Sequence, residues 1–349
     1  MVMADFKSLV RWPVALLLAV FVLTGCDLLY QEKVVGFEGR TMGTTYSVKW
    51  VDANEARVQA LKHRADEALA TVNKQMSTYD PTSELSTFNK LPAGSEMEVS
   101  DALAFVARES LTISADSNGA FDVTVGPLVN LWGFGPDGRI EKAPTEAEID
   151  LLKPRIGYAN ISVLENPTRL KKAGDQYVDL SAIAKGYGVD VLAQLLEDQG
   201  INNYLVEIGG ELRARGVKPE GEPWRIAIES PVSSERSIGR IINVKDTGIA
   251  TSGDYRNYFE ENGVRFSHTI DPATARPITH RLASVTVLRP TCAEADALAT
   301  TLMVLGDEAG FEFAKERGIA AYFLVKDAES DGFVEKATVE FEQFVQTQE

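Results

Sequence analysis

The sequence predicts an α+β fold, with mixed, largely antiparallel sheets and helices packed against them. Three observations lead there. Alternating apolar and polar stretches follow one another without a helix between them, as at residues 204–216, 224–229 and 237–256; a doubly wound parallel sheet would alternate strand with helix instead. Helical periodicities stand between these runs rather than after each strand. No fixed repeat and no low-complexity linker divides the 349 residues, so the parts on either side of Asp179 are expected to share one body.

Taken in order, residues 31–37 read as a short tether, and 39–50 as an alternating strand that opens on the small, hydroxyl-rich Thr41-Met42-Gly43-Thr44-Thr45. Residues 55–77 place Val58, Leu61, Ala65, Leu69 and Val72 at helical intervals. The helix stops at Tyr79-Asp80-Pro81, because a residue before proline is driven out of the α region. A second helix over 101–117 is capped by Ser100 and ended by Asn118-Gly119. Residues 145–153 form a short helix and 156–177 a pair of strands. Tyr177-Val-Asp-Leu alternates as a strand and runs directly into a helix over 182–199, for which Ser181 is the expected N-cap. The strands at 204–216, 224–229, 237–244 and 248–256 continue one sheet, and 265–277 is a strand followed by a turn. A strand at 283–288, a helix from Cys292, a further helix over 307–317 and a strand at 320–325 complete the body.

Composition narrows the function. The net charge is −16 and no Lys/Arg cluster occurs, which excludes nucleic-acid partners, since phosphate neutralisation needs a basic face. An acidic surface also repels anionic ligands, so a diphosphate would need a divalent cation beside it. Lys7 and Arg11 precede an apolar run at 14–23, shorter than the roughly 20 residues that span a bilayer. Residues 1–25 therefore read as a signal peptide. It ends Leu23-Thr24-Gly25-Cys26, which resembles the lipobox of bacterial lipoproteins, with Cys26 acylated as the mature N-terminus and 26–38 as its tether. Asp27 after that cysteine implies retention at the inner membrane, on the periplasmic face, by a lipid anchor rather than a span. Cys292 is the only other cysteine, so no intramolecular disulfide is available.

Two stretches carry candidate chemistry. The first is Asp179-Leu-Ser-Ala-Ile-Ala-Lys185, where unpaired backbone N–H groups and the positive end of a helix suit phosphate; an ordinary capped helix is the alternative. The second is Glu294-Ala-Asp296-Ala-Leu-Ala-Thr300. Asp296 and Thr300 lie four apart on one helical face and offer hard oxygens of the kind that hold Mg²⁺, although acids and hydroxyls also favour helix starts on their own account. Gly133-x-Gly135-x-x-Gly138 fits a dinucleotide fingerprint as a string, but Pro136-Asp137-Gly138 is a turn and no helix opens on it, so it is rejected. Three histidines, His63, His268 and His280, support no Zn²⁺ site. His268, beside Ser267, Thr269 and Asp271, is either a general base or a histidine bonded to its turn. No Gly-x-Ser-x-Gly elbow and no P-loop occurs, which leaves hydrolase and kinase classes unsupported.

Together the lipobox, Thr41-Met-Gly-Thr-Thr-Tyr, Gly119-Ala-Phe-Asp, Asp179-Leu-Ser-Ala-Ile-Ala-Lys-Gly-Tyr, Ile249-Ala-Thr-Ser-Gly, Ser267-His-Thr-Ile-Asp-Pro and Glu294-Ala-Asp-Ala-Leu-Ala-Thr resemble the ApbE family of FAD:protein FMN transferases. The resemblance runs from about Gly39 to the C-terminus. It implies a single domain over 39–349 of two intimately packed subdomains, related to tandem T-fold units. It also implies FAD as substrate, lined by Met42, Tyr79, Ala120, Phe121, Asp122, Asp179, Lys185 and Ile270, with Mg²⁺ held by Asp296, Thr300 and the carbonyl of Ala182. The implied reaction passes FMN to a Ser or Thr hydroxyl of a target flavoprotein, such as a subunit of a membrane redox complex, and releases AMP. His268 is the candidate base. An FAD pyrophosphatase and a non-catalytic flavin-binding lipoprotein are the alternatives. Two departures stand out: Ala275 replaces the glycine of the family's Asp-Pro-x-Thr-Gly turn, and Ala299 offers no carboxylate where some relatives have one. If position 275 needs a positive φ, alanine there adds strain of about 1 kcal/mol.

Overall fold

The computed structural model describes residues 32–138, 140, 142–230, 237–254, 258–261, 264–330 and 332–345. The signal segment and Cys26 lie outside the described residues. In chain order the strands are β1 (Lys33–Thr41), β2 (Thr44–Asp52), β3 (Glu96–Glu98), β4 (Ile161–Leu164), β5 (Arg169–Lys172), β6 (Tyr204–Ile208), β7 (Glu211–Arg215), β8 (Trp224–Ser230), β9 (Ser237–Val244) and β10 (Thr247–Gly253). They continue with β11 (Tyr258–Glu261), β12 (Val264–Ser267), β13 (Ile270–Asp271), β14 (Arg276–Pro277), β15 (Leu282–Arg289), β16 (Ala320–Lys326) and β17 (Phe333–Ala337). The helices are α1 (Arg57–Met76), α2 (Glu84–Asn89), α3 (Asp101–Asp116), α4 (Gly126–Leu131), α5 (Glu146–Leu152), α6 (Ala184–Glu197), α7 (Cys292–Glu316) and α8 (Val339–Glu342).

An eight-stranded sheet in the order β1-β2-β6-β7-β10-β15-β16-β17 forms the frame. Every neighbouring pair in it is antiparallel, which bears out the α+β expectation. Helices α1, α6 and α7 bury their apolar stripes on one face, where Leu61, Ala65 and Leu69 meet Val189, Leu192 and Leu196 over Tyr46, Val48 and Val206. The β8–β9 hairpin and α8 cover the other face with Trp224, Ile242, Val244 and Phe341. That hairpin is a separate two-stranded sheet, so the expectation that 224–244 continues the main sheet is corrected.

Four further expectations change. Residues 33–37 are not tether but the start of β1, where Val35 and Phe37 are buried and Phe37 meets Trp50 edge-on at 5.7 Å. Residues 39–50 are not one strand: Met42 and Gly43, with φ of 48° and 72°, form the two-residue turn between β1 and β2. Such turns favour Asn-Gly, so Met-Gly hides this one. Residues 177–180 are not a strand either. Asn89 takes the backbone groups of Val178 instead, its Oδ1 accepting from Val178 N and its Nδ2 donating to Val178 O, both at 2.8 Å, and Asp179 N donates to Val123 O at 2.7 Å. Ser181 does not cap α6, because its N–H and hydroxyl both donate to Asp179 Oδ1, at 2.9 and 2.6 Å. A local Asx turn has outcompeted the cap. Near the C-terminus the two expected helices do meet end to end, across Gly306 at φ 85° and ψ −172°.

Candidate active site

A cleft of about 640 Å³ opens where the starts of α6 and α7 face the β6–β7 hairpin, with His268, Thr269, Ile270 and Pro272 also lining it. Of the residues that the sequence singles out, Tyr79, Ala120, Phe121, Asp122, Asp179, Ala182, Lys185, His268, Ile270, Asp296 and Thr300 all line it. Met42 does not. Its turn carries the side chain between the two main apolar clusters, against Gly188 of α6.

The floor is built by a close helix crossing. A Cβ on Gly186 would fall 2.4 Å from the Cys292 carbonyl, so only glycine lets the two helix starts touch. Each helix then supplies a carboxylate to the other's free backbone N–H groups. Asp190 of α6 accepts from Cys292 N at 3.0 Å and Ala293 N at 2.9 Å. Asp296 of α7 accepts from Gly186 N at 3.0 Å through Oδ2. Burial pushes the Asp296 carboxyl up, while the Lys185 charge and the Gly186 hydrogen bond pull it down. Lys185 itself is lowered by burial, but the charges of Asp296 and Glu211 outweigh this and hold its ammonium protonated above the ordinary lysine range.

Glu211 is the site residue that the sequence reading missed. Its Oε1 accepts from Lys185 Nζ at 2.5 Å, and its Oε2 is enclosed without a hydrogen-bond partner. The signal for it was the Gly209-Gly210 pair. Both have positive φ, 62° and 108°, in the turn that sets Glu211 at the first position of β7.

The remaining residues form the walls. Asp122 is buried, which raises its pKa, and it is fully committed: Thr124 N, Thr124 Oγ1 and Tyr158 N donate to it at 2.8, 2.6 and 3.0 Å. Tyr79 stands at the mouth, 66% exposed. His268 is half-buried and edge-on to Phe134 at 6.3 Å, and Ile270 is buried beside it. Thr300 Oγ1 lies 3.4 Å from Ser252 Oγ.

The donor chemistry fits Mg²⁺ and not Zn²⁺. Asp296 Oδ1, Thr300 Oγ1 and the backbone at Ala182 are hard oxygens in residues that line the same cleft, and the buried Asp296 charge is countered only at a distance by Lys185. Among the described residues no group of three or more His, Cys, Asp and Glu is placed to hold a metal. Ala299 is wholly buried and adds nothing. Such a site takes one carboxylate, with water and phosphate supplying the rest.

Residues 42–323 match the ApbE family. The FAD:protein FMN transferase of Vibrio cholerae is 47% identical over 336 residues, covering 96% of this chain and 99% of its own. That of Escherichia coli K12 is 43% identical over 328 residues, covering 91% and 93%. The solved flavinyl transferase ApbE of Pseudomonas stutzeri, in its apo form, superposes with a TM-score of 0.83 at 43% identity, over 92% of this chain and 99% of that one. Fold, cleft and relatives together define an enzyme of the transferase class, acting on flavin. The chain belongs to the ApbE family.

Proposed function

We propose that this enzyme transfers the FMN moiety of FAD to a Ser or Thr hydroxyl of a target flavoprotein and releases AMP. The observation that carries the reading is the convergence, on one cleft, of Lys185, the α6 start and the half-used Asp296 carboxylate. An anionic diphosphate is what such a constellation suits. The acceptor oxygen attacks the FMN-side phosphorus; a new O–P bond forms, the bridging P–O bond breaks, and AMP leaves with that electron pair. An imidazole nitrogen of His268 takes the hydroxyl proton. Lys185 faces the charge that develops on the phosphoryl oxygens. Mg²⁺, held by Asp296, Thr300 and the Ala182 carbonyl, would supply charge neutralisation at the diphosphate.

The targets we propose are flavin-carrying subunits of membrane redox complexes. Acylation of Cys26 and an inner-membrane anchor on the periplasmic face would put the cleft within their reach, with the segment ahead of β1 as the tether.

The test incubates the full chain with FAD, Mg²⁺ and a candidate subunit and follows target mass and AMP together. A mass gain matching FMN, lost with EDTA, is the expected result. AMP release in water with the target unmodified would make the enzyme an FAD pyrophosphatase instead. Intact mass of the membrane-extracted chain, against Cys26→Ser, tests the anchor.

A further inference from the structure

Glu211 takes no part in the transfer as drawn above, yet it lies in the cleft wall and is only 4% exposed. One oxygen is bound to the Lys185 ammonium and the other, Oε2, has no hydrogen-bond partner on any other residue; only Glu211's own backbone N–H faces the carboxylate. A buried acceptor left this way is costly unless something fills it. The backbone of Glu211 is fixed by its pairing with Ile208 across the Gly209-Gly210 turn, and the Lys185 bond holds its side chain toward the α6 start. A carboxylate beside an anionic substrate repels it unless it meets a donor there.

The chemistry narrows that donor. Lys185 and the α6 start address the diphosphate, and in FAD the donors nearest the diphosphate are sugar-type hydroxyls of the ribityl chain and the ribose. The flavin N3–H and the adenine amino group lie at the far ends of the molecule. A divalent cation on Oε2 is disfavoured by the ammonium on the same carboxylate.

We propose that Glu211 is a substrate-binding residue, in which Oε1 fixes Lys185 and Oε2 accepts a hydrogen bond from a sugar hydroxyl flanking the diphosphate of FAD. This rests on FAD occupying the cleft. Calorimetry on the full chain with Mg²⁺ tests it, comparing wild type and Glu211→Gln for binding of FAD, of FAD analogues each lacking one ribityl or ribose hydroxyl, and of inorganic pyrophosphate. The expected result is a loss of about tenfold or more on FAD in the variant, with pyrophosphate changed less than about threefold. One deoxy analogue should lose a similar factor against wild type and lose nothing further against Glu211→Gln. Equal losses on FAD and pyrophosphate would show that Glu211 acts only through Lys185, and a raised Mg²⁺ requirement would make it a metal ligand; either overturns the proposal. The wild-type arm does not depend on the variant folding: if every deoxy analogue binds as FAD does, the proposal fails while the transferase reading stands. If wild type binds pyrophosphate but not FAD, it is the transferase reading that falls, and the proposal with it.

Discussion

The starts of α6 and α7 use one device with two outcomes. At α7, the Asp190 carboxylate spends both oxygens on backbone N–H groups and is neutralised by Arg213 at 2.8 Å. At α6, Asp296 offers only Oδ2 to Gly186 N, and its charge is answered at a distance by Lys185. The first arrangement is fully bonded, although the Asp190 side chain remains 14% exposed. The second keeps an oxygen turned to the cleft; burial raises the carboxyl pKa at both, so the difference lies in the hydrogen bonds and not in the direction of the shift. A carboxylate that is fully bonded holds structure together; the same group left half-bonded is available to a ligand, at some expense to stability.

Substituting each aspartate should separate these roles. Asp296→Asn keeps an acceptor for Gly186 N but removes the charge, and turnover should fall about 10²- to 10³-fold, equivalent to about 3–4 kcal/mol of transition-state stabilisation. Its melting temperature should hold or rise, because a buried charge has gone. Asp190→Asn leaves Arg213 only its longer pair with Glu197 at 3.8 Å and leaves one of the two α7 N–H groups without a carboxylate oxygen, and should cost about 2 kcal/mol of stability, with turnover of the folded enzyme within about tenfold of wild type. Denaturant unfolding and steady-state AMP release on both variants check this. The opposite pattern would break the comparison, showing the α6 start to be scaffold.

Part of this was legible in the sequence. Of the stripe that periodicity predicts, Leu61, Ala65, Leu69 and Val72 are the buried face of α1, while Val58 is only half-buried and Met76 completes the face. Asp296 and Thr300 could be picked out because four residues on a helix is a fixed geometry. Asp190 could not. It sits mid-helix and looks like a solvated charge, and its partners lie 102 and 103 residues on. Only the crossing at Gly186 turns it into a cap. Glu211 was hidden in the same way, since its partner Lys185 is brought to it by sheet packing and not by spacing. Residues 177–180 misled because the backbone of a strand-like pattern was satisfied by the Asn89 side chain and the Val123 carbonyl in place of a neighbouring strand.

A pH profile of stability sharpens the contrast. Burial lifts Glu211 from 4.5 to about 7, against the pull of Lys185. A carboxyl raised on folding binds more protons in the native state, so its contribution is present in acid and lost as pH climbs from 4.5 through 7. Lys185 stays protonated throughout that window and adds no slope. Burial raises Asp296 in the same direction, whereas an ordinary salt-bridged surface carboxylate would act oppositely. Glu211→Gln should therefore flatten the fall of unfolding free energy between pH 4.5 and 7, by at most about 1.4 kcal/mol per pH unit for one proton. Parallel profiles for variant and wild type would mean that Glu211 is already ionised in the fold at acid pH.

The smallest effect is expected outside both helix starts, at Ala275. The suspected strain is present: its φ is 59°, in the left-handed region that favours glycine. Ala275→Gly would relieve about 1 kcal/mol of that strain. Against this, Ala275 is 1% exposed, and removing its methyl forfeits about 0.8 kcal/mol of burial, with a further loss from the freer unfolded chain. The opposing terms nearly cancel, so stability should move by less than about 1 kcal/mol and the melting temperature by less than about 4 °C. The turn is also held from elsewhere, by Trp132 Nε1 donating to Ala275 O at 3.2 Å and by Ala275 N donating to Asp271 O at 2.8 Å, and a glycine keeps both backbone bonds. Ile270 and Pro272 in the cleft lining should therefore stay in place, and turnover should remain within about twofold. A larger loss of activity at unchanged stability would show that the strain is stored for the reaction, and that the working part of the molecule reaches beyond the half-bonded helix start.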